Sequence, residues 1–284
     1  MNKMAVHLHI YYVDQLPEIL CYLKGLKGKN YDLFVTTTAP LDALSDLKSV
    51  YPAAQIWNVP NLGYDIGPFI DFLHHIDLND YEYILKLHTK GKTSKNYTLL
   101  NGNRFNNALW GRVLWDSMLA TPERLTENLE IMDKNPEIGL LGSKYCITSA
   151  PRDYNKLLPQ INAELQKLQL APVEKLSFVA GSMFLVRAKC LEPLLHYQIT
   201  DFAPTDCNIK EGTLAHIVER LIGAVVTEVG YQCQGVRVNL CLSLRINQTF
   251  INFIRFFYQN KITMSGKKLI KICKIPVYSK PYKS

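Results

Sequence analysis

The sequence predicts an α/β protein: a sheet flanked by helices, with a helical insertion in the middle and a basic, amphipathic C-terminal tail. Three observations carry that expectation. Strand-like and helix-like segments alternate through the first hundred residues, the pattern of a parallel sheet covered on both faces. The middle of the chain places its apolar residues at helical spacing. Beyond residue 242 the composition turns aromatic and then lysine-rich. A chain of 284 residues that is 48% apolar can bury one large core and is too apolar to stay disordered. The expected division is one domain over 1–242, with halves near 1–100 and 101–242, and a tail over 243–284.

"AVHLHIYY" (5–12) is the first β-rich run, and "QLPEILCYLKGL" (15–26) follows with Leu16, Ile19, Leu20 and Leu23 on one helical face. "YDLFVTTT" (31–38) is the second strand, "LDALSDLKSVY" (41–51) a short helix and "AQIWNVPN" (54–61) the third strand. "DIGPFIDFLHHI" (65–76) reads as a helix and "EYILKLHTK" (82–90) as the fourth strand. In open sheets of this kind a ligand lies beyond the carboxyl ends of the strands. "NNALWGRVLWDSML" (106–119) and "PERLTENLEIMDKN" (122–135) are two helices, the second opened by Thr121 as cap and Pro122 in the first turn. "IGLLGS" (138–143) is a short buried strand and "NKLLPQINAELQKLQL" (155–170) an amphipathic helix. "LSFVAGSMFLVRA" (176–188) is either a strand pair or one strand with a glycine bend, and "GTLAHIVERLIGAVV" (212–226) is a helix.

Net charge is +7, and seven Lys with no acid lie between Lys261 and Ser284. That local patch suits an anionic membrane surface or a lipid-linked substrate. No RNA- or DNA-binding signature accompanies it, so nucleic acid is not an expected partner. The seven cysteines are scattered and form no CxxC pair, which fits reduced thiols in a cytosolic protein. "MNKMAVHLHI" does not read as a secretory signal, and no stretch reaches the roughly 18 to 20 apolar residues that span a bilayer.

Several segments carry residue types suited to chemistry. "NLGYDIGPF" (61–69) places Asn61, Gly63, Asp65 and Gly67 between a strand and a helix. The glycines allow close backbone approach, the helix start offers free N–H groups, and Asp65 suits a sugar or ribose hydroxyl. An ordinary turn with an aspartate cap reads equally well from spacing. In "KLHTKGK" (86–92), Lys86 and His88 share one strand face, and Lys90 and Lys92 fall in the loop past its end. Cations at that place suit a diphosphate, although a strand-end lysine is often only solvated. An unpaired Lys86 inside a strand would be costly to bury. His7 and His9 share a face of the first strand, either as metal ligands or as a satisfied polar layer beside the site. Gly181 and Ser182 sit in an apolar run, where a substrate can lie on the backbone or the chain can simply bulge. Asp206 and Glu211 precede a helix on which His216 and Glu219 share a face at i, i+3. Glu211 reads either as a helix cap or as a catalytic carboxylate. Trp110 and Arg112 either help to shape the site or, the plainer reading, pack in the core of their helix.

Taken in order, "VHLHIYY", "NLGYDIGPF", "YILKLHTKGK", "FVAGSMFLVRA" and "EGTLAHIVERL", all within residues 6–221, resemble the rhamnan synthesis protein F family of bacterial polysaccharide glycosyltransferases. The resemblance implies a GT-A-like, nucleotide-binding mixed sheet joined to an acceptor-binding part. It implies transfer of a sugar, rhamnose or galactofuranose, from a UDP- or dTDP-sugar to a lipid-linked glycan of the cell surface. It places the protein in the bacterial cytoplasm; the tail, which the resemblance does not cover, suits either peripheral contact with the inner face of the membrane, by its aromatic and Lys-rich composition, or a helix packed on the catalytic domain. In metal-dependent GT-A enzymes the fourth strand ends in DxD, whose acids hold Mn²⁺ or Mg²⁺ against the diphosphate. Here His88, Thr89 and Lys90 occupy that place. The expectation is therefore a metal-independent, inverting enzyme in which Lys90 and His88, with Lys86 or Lys92, replace the ion by fixed positive charge. Donor contacts are expected from Asn61, Gly63 and Asp65, and further substrate contacts from His9, Lys86, Lys92, Gly181, Ser182, His216 and Glu219. The base that takes the acceptor proton is expected at Glu211, then Asp206, then Glu219. A catalytically inactive nucleotide- or glycan-binding protein of the same pathway is the alternative.

Overall fold

The computed structural model describes residues 3–92, 96–99, 103–151, 156–205, 212–238, 258–262, 267–272 and 275–281. The first half alternates as the apolar spacing requires: β1 (Met4–Ile10), α1 (Leu16–Leu23), β2 (Tyr31–Thr37), α2 (Ser45–Val50), β3 (Gln55–Asn58), α3 (Ile66–His74) and β4 (Tyr83–His88). Two short strands, β5 (Asn96–Thr98) and β6 (Arg104–Asn106), form a hairpin before α4 (Asn107–Leu119) and α5 (Pro122–Lys134). Thr121 caps α5 by accepting a bond from the Arg124 N–H, with Pro122 in the first turn. Then come β7 (Ile138–Ser143), β8 (Ile147–Pro151), α6 (Leu158–Lys167), β9 (Lys175–Val179), β10 (Phe184–Arg187), α7 (Leu214–Glu228) and β11 (Gln232–Val236).

Seven strands form one sheet in the order β11-β7-β10-β4-β1-β2-β3. Strand β10 runs antiparallel to both neighbours, and every other pairing is parallel. The alternation read from the sequence accounts for the parallel part; the antiparallel insertion makes the sheet mixed. "LSFVAGSMFLVRA" resolves into two strands of different sheets, β9 pairing with β8 and β10 entering the main sheet. Between them the chain reverses at Gly181 (φ 90°) and Ser182 (φ 49°). The tail contains β12 (Tyr258–Ile262), β13 (Lys267–Ile272) and β14 (Ile275–Pro281) as an antiparallel three-stranded sheet. The aromatic stretch 250–257 lies outside the described residues. Among the described residues, no helix is long and apolar enough to cross a membrane.

Helices α3 and α7 cover one face of the sheet, and α1, α4 and α5 the other. Strands β1 and β4 are buried along their whole length. On the α3 face, Phe69 and Phe72 pack against the His7 ring, and Phe184 meets Phe69 edge-on. Phe69 and Phe72 are fully buried, and each contributes roughly 1.5–3 kcal/mol by leaving water. This apolar wall encloses the inward row of β1 and β4, which is not apolar. Register pairs His7 with Lys86 and His9 with His88, so four titratable side chains stand together under α3.

Candidate active site

The four side chains rise toward the carboxyl edge of the sheet, where the chain leaves β1 and β4 in short loops. A cleft of about 440 Å³ opens there, lined by His9, Tyr11, Tyr64, Asp65, His88 and Lys90 among others. Thr89 ties its floor together: its N–H bonds the His9 carbonyl, and its Oγ1 accepts from the N–H groups of Tyr11 (2.9 Å) and Tyr12 (3.1 Å). Gln15 Nε2 holds the Lys90 carbonyl at 2.8 Å. Both loops after the strands are therefore fixed to each other.

Below the cleft lies a charged knot. Lys86 is fully buried, and its Nζ donates to Asp65 Oδ2 at 2.5 Å and to the Ser182 carbonyl at 3.0 Å. Ser182 Oγ also donates to Asp65 Oδ2. His88 Nε2 is 3.7 Å from the same oxygen. Burial alone would raise the Asp65 carboxyl; His88, Lys86 and the bonds from Lys86 and Ser182 reverse this and hold it far below the usual carboxylate range. The pair is ionised, and Asp65 answers the cost of burying Lys86. Asp65 stands at the N-cap of α3 but makes no capping bond.

Two left-handed turns converge on this knot. Gly63 (φ 70°) and Tyr64 (φ 57°) are both left-handed, as are Gly181 and Ser182. Tyr64 and Ser182 each pay on the order of 1–3 kcal/mol for that conformation. At Gly181 a Cβ would come within 2.7 Å of Leu114 Cδ1 and 2.8 Å of Trp110 Nε1. The turn is held by Glu219, whose Oε1 accepts from the Gly181 N–H at 2.8 Å, and by Trp110 Nε1, which donates to the Ala180 carbonyl at 3.2 Å.

His88 is clamped between carbonyls, Nδ1 at 2.8 Å from Thr89 O and Nε2 at 2.8 Å from Gly181 O. Only the imidazolium donates to both. Burial, helped by Lys86 and Lys90 and opposed by Asp65, pushes its pKa down to about 4. Extra negative charge in the cleft would favour the doubly donating form.

Lys90 differs from Lys86. Its ammonium sits 3.8 Å above the Trp110 ring, and no described carboxylate lies within ion-pair distance. Burial lowers its pKa, with Asp65 and Glu219 opposing at longer range. Cation–π support of about 0.5–2 kcal/mol leaves most of that charge available to a ligand.

The remaining candidates fall as follows. His9 and His216 line the cleft, and Tyr64 meets His216 edge-on at 5.5 Å. Asn61 lines it too and binds Thr205 Oγ1 at 2.6 Å, while Gly63 N bonds the Ala203 carbonyl, so the 203–205 segment is stapled to the turn before α3. Lys92 lies outside the main cleft, half-exposed and paired with Glu18 at 2.7 Å. Asp206 and Glu211 lie outside the described residues. Thr36 and Trp110 are the positions that sequence reasoning undervalued. Thr36 sits in an unremarkable β-rich run, and Trp110 reads as helix core. Only the contact with β1, and with the 180–182 turn, marks them. Among the described residues no three His, Cys, Asp or Glu side chains are grouped to hold a metal ion.

Together the fold and cleft define an α/β protein with a mixed sheet and a cleft past the carboxyl edge of its strands, cationic at Lys90. The chain belongs to the rhamnan synthesis protein F family, whose sequence model matches residues 1–231. It is 30% identical over 251 residues to the uncharacterized protein WxcX in each of two strains of Xanthomonas campestris pv. campestris. Those alignments cover 83% of this chain and 33% of WxcX, so the chain spans about a third of the length of these curated relatives. Among solved structures it is similar to a mycobacterial protein (TM-score 0.40, 11% identity, covering 99% of this chain and 86% of that one). It is also similar to glucosyl-3-phosphoglycerate synthase from Mycobacterium tuberculosis in complex with phosphoglyceric acid (TM-score 0.35, 11% identity, 99% and 90%).

Proposed function

We propose that this chain is a GT-A-like glycosyltransferase of cell-surface polysaccharide assembly that takes its sugar, rhamnose or galactofuranose, from a UDP- or dTDP-sugar. The observation that carries the reading is the Lys90 ammonium, presented to the cleft on Trp110 while the cleft's own carboxylate, Asp65, is committed to Lys86. A cleft so arranged has positive charge to give to a diphosphate and little repulsion against it.

In the reaction the acceptor hydroxyl oxygen attacks the anomeric carbon. The bond from that carbon to the diphosphate oxygen breaks, and its electron pair leaves with the diphosphate. Lys90 stabilises the charge that builds there, with His88 beneath it, in the place a metal ion takes in DxD enzymes. The acceptor proton passes to a carboxylate, with Glu211 first in order, Asp206 second and Glu219 third, and transfer inverts the anomeric centre. Glu219 has one oxygen engaged by the Gly181 N–H, which ranks it last. The acceptor is a lipid-linked glycan, met at the inner face of the cytoplasmic membrane through the basic tail.

Calorimetric titration with UDP and with dTDP, each in EDTA, tests the reading, with Lys90→Ala alongside. Binding of either nucleotide that weakens about 100-fold in Lys90→Ala supports it, a loss of about 3 kcal/mol. Binding that needs Mn²⁺ or Mg²⁺ overturns metal independence, and no binding of either overturns the donor class. A non-catalytic binding protein would bind but transfer no sugar to any acceptor.

A further inference from the structure

Thr36, on β2, lies between the two histidines of β1. Its Oγ1 is 3.0 Å from His7 Nε2 and 3.0 Å from His9 Nδ1. A hydroxyl has one proton to give and lone pairs to accept with. Among the described residues Thr36 Oγ1 has no third hydrogen-bond partner to take its proton, so it donates to one ring and accepts from the other, and the two possible directions give His9 opposite faces toward the cleft. His7 decides between them. It is wholly buried against Phe69 and Phe72, and its Nδ1 has no hydrogen-bond partner. Burial and nearby Lys86 hold the His7 pKa well below its ordinary value, and burial first of all brings His9 to about 3. Each ring is thus neutral and carries one proton.

If the His7 proton were on Nδ1, a buried N–H donor would stand orphaned, an arrangement folded proteins rarely tolerate. With the proton on Nε2, His7 donates to Thr36, and only a bare nitrogen is left unpartnered. Thr36 then donates to His9 Nδ1, and the His9 proton is on Nε2, the nitrogen on the opposite side of the ring from Thr36. His9 lines the cleft.

We propose that the buried chain His7–Thr36–His9 fixes His9 as its Nε2–H tautomer, so that His9 is a hydrogen-bond donor in the cleft and binds an acceptor oxygen of the ligand, a phosphate or a nucleobase carbonyl oxygen. His7 and Thr36 act through His9 and are positioning residues. The same polarity bars His9 from taking a proton from the acceptor hydroxyl. The ligand half of this proposal rests on the nucleotide reading above; the tautomer half does not.

Long-range ¹H–¹⁵N NMR of the ligand-free protein at pH 7 reads the tautomer directly. The expected spectrum shows His9 with a protonated Nε2 and a bare Nδ1, and His7 protonated at Nε2. A His9 protonated at Nδ1 overturns the proposal, whatever the protein binds. Thr36→Val removes the hydroxyl at nearly constant shape and should leave His9 a mixture of tautomers; Thr36→Ser should restore the Nε2–H form. In titrations with UDP and dTDP in EDTA, Thr36→Val should weaken binding about tenfold and Thr36→Ser should bind as the unaltered protein does. Equal affinity in Thr36→Val and Thr36→Ser overturns the role in ligand binding. Should neither nucleotide bind the unaltered protein, the ligand half falls together with the donor reading, while the NMR result still decides the tautomer.

Discussion

Removing the charge of Asp65 while keeping its shape is the most informative perturbation of the knot beneath the cleft. In Asp65→Asn the fully buried Lys86 ammonium loses a partner at 2.5 Å. At an effective dielectric near 20, two unit charges at that distance attract by about 7 kcal/mol. Part of this survives, because Lys86 still reaches the Ser182 carbonyl at 3.0 Å and its Oγ at 3.3 Å, and the carboxamide oxygen still accepts. A loss of about 3–5 kcal/mol of folding stability is expected, the range for breaking one side of a buried pair. Lys86→Met is milder. The Asp65 side chain is 19% exposed and keeps its bond from Ser182, so the carboxylate finds water, and about 1–3 kcal/mol is lost. Asp65→Asn/Lys86→Met removes both charges and leaves Met between Phe69 and Phe184, which flank the ammonium at 5.3 and 5.9 Å. Urea denaturation of the four proteins followed by circular dichroism closes a double-mutant cycle. The double variant should be more stable than the sum of the singles implies by at least about 2 kcal/mol. Additivity to within about 0.5 kcal/mol would refute the reasoning, since Lys86 would then not depend on Asp65.

Three further outcomes follow from the same geometry. His9 and His88 titrate near 3 and 4 when folded, against an ordinary value of 6.5. Between those limits the unfolded chain binds protons that the folded protein refuses, so stability is full above about pH 6.5 and falls as pH drops toward 4. At pH 5 the loss is about 2 kcal/mol per histidine relative to neutral pH, and equal urea midpoints at pH 7.5 and pH 5 would contradict it. Ser182 is left-handed and also donates to Asp65, so Ser182→Ala keeps the strain and loses the bond, whereas Ser182→Gly loses the bond and is relieved of the strain. Thermal unfolding should therefore find the alanine variant less stable than the glycine variant by about 1 kcal/mol. Finally, Trp110→Leu removes both the ring under Lys90 and the bond to the Ala180 carbonyl, and should weaken UDP or dTDP binding about tenfold in calorimetry while leaving the helical circular dichroism of α4 in place.

Strands β1 to β4 and helices α1 to α3 were legible because each shows one clear period over a short stretch, and period is a local property. The start of α5 was legible for the same reason, its capping bond spanning three residues. The run at 176–188 reads equally as a strand pair or as one bent strand. Its apolar residues suit either, and the partner strands β8, β4 and β7 that separate β9 from β10 lie far away in sequence.

The candidate site divides along the same line. Residue types and their order along 61–69 and 86–92 marked the place, since period 2 puts Lys86 and His88 on one strand face without any knowledge of the fold. What each cation does was not legible. Lys86 meets Asp65 across 21 residues and Ser182 across 96; Lys90 meets Trp110 only because α4 packs against the 180–182 turn. Spacing along the chain determines which side chains share a face and which loop they enter. Whether a buried charge is spent on a neighbour or kept for a ligand depends on distance and burial in three dimensions, and the antiparallel entry of β10 beside β4 set both for Lys86 and His88.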